Sequence, residues 1–125
     1  MSEKSLQKIK KGLMGITNAG HEALAKFDSE YLDKINEFYI EYTIQREGAA
    51  LPRKTKELII MTVCSALTHF RGTRIHMKRA LLSGATPREV LEALQTAAIP
   101  GGLPIIWTGA EILAEELKGL NRSFE

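Results

Sequence analysis

The chain is poor in cysteine. Cys64 is its single thiol in 125 residues. One thiol excludes an internal disulfide and a Cys-based zinc site, and it fits a reducing compartment, so a cytoplasmic protein is expected. Valine is almost as scarce: Val63 and Val90 stand against 15 Leu, 13 Ala and 12 Ile. Leu and Ala favour helix, and the shortage of valine leaves little material for a sheet. Clean period-2 alternation between hairpin turns is also missing. No apolar run approaches the ~20 residues that a bilayer requires, so a membrane span is excluded. Met1-Ser2-Glu3-Lys4 lead into a polar helix without an apolar segment, and no signal peptide is expected. Internal repeats, low-complexity stretches and linkers are lacking too.

What is present is an ordinary globular composition, 44% hydrophobic and 26% charged, which argues against intrinsic disorder. The length suits one domain over residues 1–125, able to bury roughly 65% of the surface that the unfolded chain exposes. The expected fold is all-α, a compact bundle of about six helices.

The helical spacing can be read along the chain. Leu6, Ile9, Leu13 and Ile16 share a face, and Gly20 is expected to end or bend that segment. A short piece follows from His21 to Phe27. Asp28 or Ser29 can cap a helix whose stripe is Tyr31, Ile35, Phe38, Tyr39 and Tyr42, with Gly48 as a stop. Pro52 suits a first helical turn, and a helix is expected from about Arg53 to Thr68. Its interior is apolar nearly all round, so it is expected to be central and buried. Gly72 suggests a break, and another helix then runs to about Leu82. Thr86-Pro87-Arg88-Glu89 is a capping box with proline at the first helical position, a strong start signal. Pro100-Gly101-Gly102 should break that helix before a last one carrying Ile106, Ala110, Leu113, Ala114 and Leu117 on one face.

The net charge of +2 hides an uneven distribution. Residues 1–47 sum to −1, residues 48–88 to +7 and residues 89–125 to −4. The basic stretch holds Arg53, Lys54, Lys56, Arg71, Arg74, Lys78, Arg79 and Arg88 with one acid, Glu57. Such a run is commonly a solvated helix face. The sharper reading is a field that attracts a small anionic substrate. Nucleic acid is not expected, because acidic flanks dilute the patch and no aromatic–basic interleaving or binding motif is present.

Glu57 lies in the apolar helix on the face of Met61 and Cys64. Burial there is costly unless the carboxylate is paired, and burial alone raises a carboxyl pKa into a range useful for proton exchange. The plain alternative is an ion pair with Arg53, one turn back. His69 and His76 follow at 12 and 19 residues. They form no recognised metal pattern, since there is no His-Glu-x-x-His and no nearby cysteine ligand, and no metal is expected. Cys64 reads as a small apolar core residue. His21 reads as a helix-surface residue. Trp107, near a helix start, could wall a pocket or pack a subunit interface.

Leu51-Pro52-Arg53-Lys54-Thr55-Lys56-Glu57-Leu58-Ile59, Ile75 to Thr86, Glu89 to Leu94, the Pro100–Pro104 break and the closing helix together resemble the carboxymuconolactone decarboxylase family. That family also contains the alkyl hydroperoxide reductase D-type proteins, and the best-matching core is residues 48–117. The family's peroxidase branch carries Cys-x-x-Cys-x-x-x-His with a glutamate twelve residues before the first cysteine. Aligned on His76, the two thiol positions hold His69 and Gly72, while Glu57 takes the glutamate's place. Disulfide exchange needs a thiolate attacking a sulfur, and neither sulfur is there, so a peroxidase role is not expected.

The decarboxylase branch needs no thiols. Its γ-lactone substrate loses CO2, and the resulting dienolate is protonated at carbon. The resemblance implies a cofactor-independent enzyme acting on a small anionic lactone or a related metabolite of aromatic-compound degradation. Arg71, Arg74 or Arg53 would hold the substrate's carboxylates, the central helix and Trp107 would supply an apolar wall, and His76, with His69 or Glu57, would deliver the proton. Family members assemble as trimers or hexamers, so a homo-oligomer is expected. Two other readings stay open. One is a degenerate redox protein of the same fold, and the other is a non-catalytic oligomeric module that binds an anionic metabolite.

Overall fold

The computed structural model describes residues Ser2–Glu125. Among them every regular element is helical. The order is α1 (Ser2–Gly12), α2 (Ala19–Phe27), α3 (Ser29–Ile35), α4 (Arg53–Ala66), α5 (Phe70–Leu82), α6 (Pro87–Gly101) and α7 (Pro104–Gly119). Helix α3 runs on without a break as a π-helical segment, Asn36–Ile44, and closes with an i→i−5 bond from the Gln45 N–H to the Ile40 carbonyl at 2.7 Å. No helix among the described residues is long and apolar enough to cross a membrane.

The helices fall into two compact units, one ending at Ala50 and the other beginning at Leu51. In the first, Ile9, Leu13, Ala25, Leu32 and Ile40 form the core. Asp28 caps α3 as its sequence position suggested, accepting the Tyr31 N–H at 3.1 Å. Gly20 does not end a helix; it lies in the first turn of α2 and donates its N–H to the Asn18 side chain at 2.7 Å. His21 is more than a surface residue. Its Nδ1 accepts the Asn18 N–H at 3.0 Å and completes a capping box in which histidine stands where glutamate usually does.

The second unit holds α4 to α7 around Met61, Met77, Ala80, Val90, Leu94, Ile112 and Leu113. The Thr86–Glu89 capping box forms as expected. Thr86 accepts the Glu89 N–H at 3.0 Å, and Glu89 accepts the Thr86 N–H at 2.9 Å. Helices α4 and α5 make an antiparallel hairpin through a three-residue turn, Leu67 to His69. The break comes at Thr68, whose φ is +59°, while Gly72 lies inside the first turn of α5.

Helix α4 corrects the expectation of an all-round buried element. One face is buried, through Glu57, Met61 and Ser65. The opposite face exposes Ile59, Val63 and Leu67, with Val63 52% accessible. Its neighbours in the unit, α5 and α6 above all, cover one side only. Apolar composition all round a helix therefore did not mean burial all round.

Candidate functional site

The α4–α5 hairpin brings Glu57 and His76 together. Glu57 sits one turn into α4 on its buried face, and His76 sits halfway along α5, next to the fully buried Met77. Glu57 Oε1 and His76 Nδ1 lie 2.7 Å apart. On the other carboxylate oxygen, Arg53 Nε donates to Glu57 Oε2 at 3.2 Å, an i,i+4 pair within α4. The Glu57 side chain is 1% exposed, against 12% for His76 and 20% for Arg53. A buried carboxylate thus lies between two partners that reach towards solvent.

The charge state follows. Burial, the strongest influence on Glu57, pushes its carboxyl towards protonation, but the hydrogen bond and charge of His76 and then those of Arg53 outweigh it. The result lies below the ordinary carboxylate range. This corrects the expectation that burial would leave Glu57 trading protons near neutrality: it stays ionised. An ionised carboxylate only accepts hydrogen bonds, so His76 Nδ1 is the donor and Nε2 is the nitrogen left for chemistry.

Further down the hairpin the two helices are joined by hydroxyls. Ser65 Oγ and Thr73 Oγ1 lie 3.0 Å apart, with the Met61 carbonyl 2.9 Å from Ser65 Oγ and the His69 carbonyl 3.3 Å from Thr73 Oγ1, so one hydroxyl donates to its carbonyl while the other donates across the hairpin. Residues 65 and 73 are a second point of polar registration between α4 and α5 that the apolar pattern gave no reason to single out.

The other candidate residues lie elsewhere. His69 is an exposed residue at the N-cap of α5, and it takes no part in the hydrogen bonds of the Glu57–His76 pair. At 1.5 Å per residue, about 14 Å of helix axis separates Glu57 from the end of α4, beyond which His69 lies. Arg71 and Arg74 line an open cleft of about 340 Å³ with Phe70, Thr108, Glu111, Ile112 and Glu115, between α5 and α7. Neither Glu57 nor His76 is in that lining. Arg74 is engaged by Glu116, at 3.0 Å, and by Glu115. Trp107 is 66% exposed at the start of α7, and Leu103 and Ile99 are exposed as well. The cleft's acidic wall was missed in the sequence, although Thr108, Glu111, Ile112 and Glu115 recur at helical spacing.

Cys64 lies against Gly72. A Cβ added to that glycine would come within 2.7 Å of the sulfur. Burial pushes the Cys64 thiol up, which makes it a poorer nucleophile at neutral pH. Among the described residues no group of three or more His, Cys, Asp or Glu is arranged to hold a metal ion.

Comparison with known proteins places the chain in a family. The profile of the carboxymuconolactone decarboxylase family matches residues 32–115, a span that includes Arg53, Glu57 and His76. No curated protein matches the chain. A crystal structure of a protein from Burkholderia xenovorans LB400, provisionally named a carboxymuconolactone decarboxylase, superposes with a TM-score of 0.74 over 97% of each chain at 21% identity. At that identity the likeness speaks for the fold, and the fold is the helical one expected. Over more than half its length the sequence carries the family's pattern, and the chain belongs to the carboxymuconolactone decarboxylase family.

Proposed function

We propose that the protein is a cofactor-independent decarboxylase, or a closely related proton-transfer enzyme, acting on a small anionic lactone or similar metabolite of aromatic-compound degradation. The observation that carries this reading is the buried, ionised Glu57 held 2.7 Å from His76 Nδ1. A carboxylate so placed orients the imidazole and stabilises its protonated form during catalysis. In the proposed reaction the lactone's carboxylate leaves as CO2, and its bonding electrons pass into a dienolate. The imidazolium of His76 then gives its Nε2 proton to carbon. The neutral ring that remains keeps Nδ1–H on Glu57, and Nε2 recovers a proton from water. Arg71, one of the residues that line the α5–α7 cleft, is the candidate contact for a substrate carboxylate.

The test is turnover of a panel of carboxylated γ-lactones, followed by CO2 release. His76→Ala should abolish turnover while the circular dichroism spectrum stays helical. A variant that turns over normally would remove His76 from the role of acid. Helix α4's exposed Ile59, Val63 and Leu67 support the further proposal that the active form is a homo-oligomer, a trimer or hexamer as in the family.

A second reading is a non-catalytic module for an anionic metabolite, favoured by the cleft that holds Arg71 apart from His76. Thermal stabilisation by lactone carboxylates without CO2 release would select it. A redox role through Cys64 is the weakest, given its raised pKa and lack of a second thiol.

A further inference from the structure

Arg53 enters the sequence reading as a possible contact for substrate, but its Nε is spent on Glu57 Oε2 at 3.2 Å. That geometry decides more than stability. A buried glutamate–histidine pair holding one exchangeable proton can place it in two ways. The carboxylate can be ionised, with the proton on the ring, which as an imidazolium keeps Nε2–H and donates Nδ1–H to Oε1. Alternatively the carboxyl can be protonated, with its O–H donating to a bare Nδ1 and the ring keeping only Nε2–H. The heavy-atom distance of 2.7 Å is compatible with both. The second arrangement contains no charged group, and a side chain that is 1% exposed favours it on desolvation grounds. The first needs a positive charge beside the far oxygen.

We infer that Arg53 is a positioning residue that sets the polarity of the Glu57–His76 hydrogen bond, keeping the proton on the histidine ring rather than on the carboxyl. Three observations carry it. Arg53 Nε addresses the one carboxylate oxygen that His76 does not use. The two residues are one turn apart on α4, so the helix itself holds the pair in register whatever α5 does. The Arg53 side chain is 20% exposed, buried enough for its charge to be felt at Glu57 and exposed enough to keep part of its hydration. The consequence for the proposed chemistry is direct. With Arg53 in place His76 can become an imidazolium with an acidic Nε2–H. Without it the same proton resides on Glu57, and the neutral ring is a far weaker acid.

This inference rests on the proposed role of His76 in proton transfer for its importance, but its test does not need a substrate. Selective ¹⁵N labelling of histidine and ¹³C labelling of glutamate report where the proton is at pH 7. The wild-type protein should show a protonated Nδ1 at His76 and an ionised Glu57 carboxylate. Arg53→Met, which removes charge and donor together, should lose the Nδ1–H signal and shift the Glu57 carboxyl carbon to its protonated position. Arg53→Lys, which restores the charge, should return both signals towards wild type, a rescue that a purely packing role would not give. If Arg53→Met does not fold, Arg53→Gln decides, since it removes the charge and keeps a donor. A folded Met or Gln variant with wild-type signals at both sites overturns the inference. Turnover is a separate matter: an unaltered tautomer with lost activity counts against Arg53 alone, and an altered tautomer with unaltered activity counts against His76 as the acid.

Discussion

Glu57 carries a cost that shapes the response to acid. Its folded-state pKa lies below the ordinary value of 4.5, so its pairing contributes stability that is fully present above that range. The contribution is lost as pH falls through the folded value, because the folded state then takes up a proton later than the unfolded chain does. Glu57→Gln should therefore flatten the decline of stability below about pH 4.5 while lowering stability at neutral pH by about 1–3 kcal/mol. Urea melts across the acid range read both effects, and a decline with the wild-type slope would show that Glu57 does not govern it. Thr68 is a second residue whose conformation is costly. A β-branched side chain at φ +59° is strained, and Thr68→Gly should raise stability by about 1 kcal/mol in the same melts. No gain would mean that the Thr68 hydroxyl bond to the Leu67 carbonyl, at 2.6 Å, offsets the strain.

At the scale of the element, helix starts were legible and several helix ends were not, for a physical reason. The starts at Asp28 and Thr86 are carried by side chains that accept backbone N–H groups, and those chemistries show in the sequence. Four ends share one backbone motif, a 6→1 bond paired with a 5→2 bond around a residue at positive φ. Gly84 fills that position after α5, but Met14, Thr68 and Asn121 fill it after α1, α4 and α7. A search for glycine therefore finds one end in four, and it places stops at Gly20 and Gly72, where the helices continue. Gly72 is small for another reason, the closeness of α4 at Cys64. Gly72→Ala should cost about 1–3 kcal/mol through that contact. In Cys64→Ala/Gly72→Ala the loss should be smaller than the sum of the single losses by at least ~1 kcal/mol. Strict additivity in a double-mutant cycle would show that the contact does not set the cost.

For the whole molecule the charge pattern means less than its sum over residues 48–88 suggested. Much of that positive excess is paired with acids from the C-terminal third: Lys54 with Glu89 at 3.1 Å, Arg74 with Glu115 and Glu116, and Arg88 with Glu125 at 3.5 Å. The sequence showed where the cations were but not which acids the fold would bring to them, because those partners lie 35 or more residues away. Glu57 and His76 were legible as candidates, since both positions fall in the family-like stretches, but whether Glu57 or His69 would meet His76 was not. The separation of Arg71 and Arg74 from it was not: they stand five and two residues before His76 on α5, spacings that face different neighbours.

The surface also leaves an apolar stripe uncovered. Ile59, Val63 and Leu67, four residues apart along α4, make a continuous exposed stripe. Scattered surface apolar residues need no explanation, but a stripe over two turns of one helix is what a subunit contact presents. If the proposed homo-oligomer forms through this face, wild-type protein at micromolar concentration should show a multiple of 13.9 kDa in light scattering. A single charge at the centre of the stripe should undo it. Val63→Asp places an unpaired carboxylate in the contact, where desolvation costs several kcal/mol per copy, whereas in the separated chain the side chain is already half exposed and the change should stay within about 0.5 kcal/mol. The expected outcome is a 13.9 kDa species with an unchanged helical spectrum. A wild-type protein that scatters as a monomer removes the oligomer proposal, and an oligomer that survives Val63→Asp moves the contact off α4.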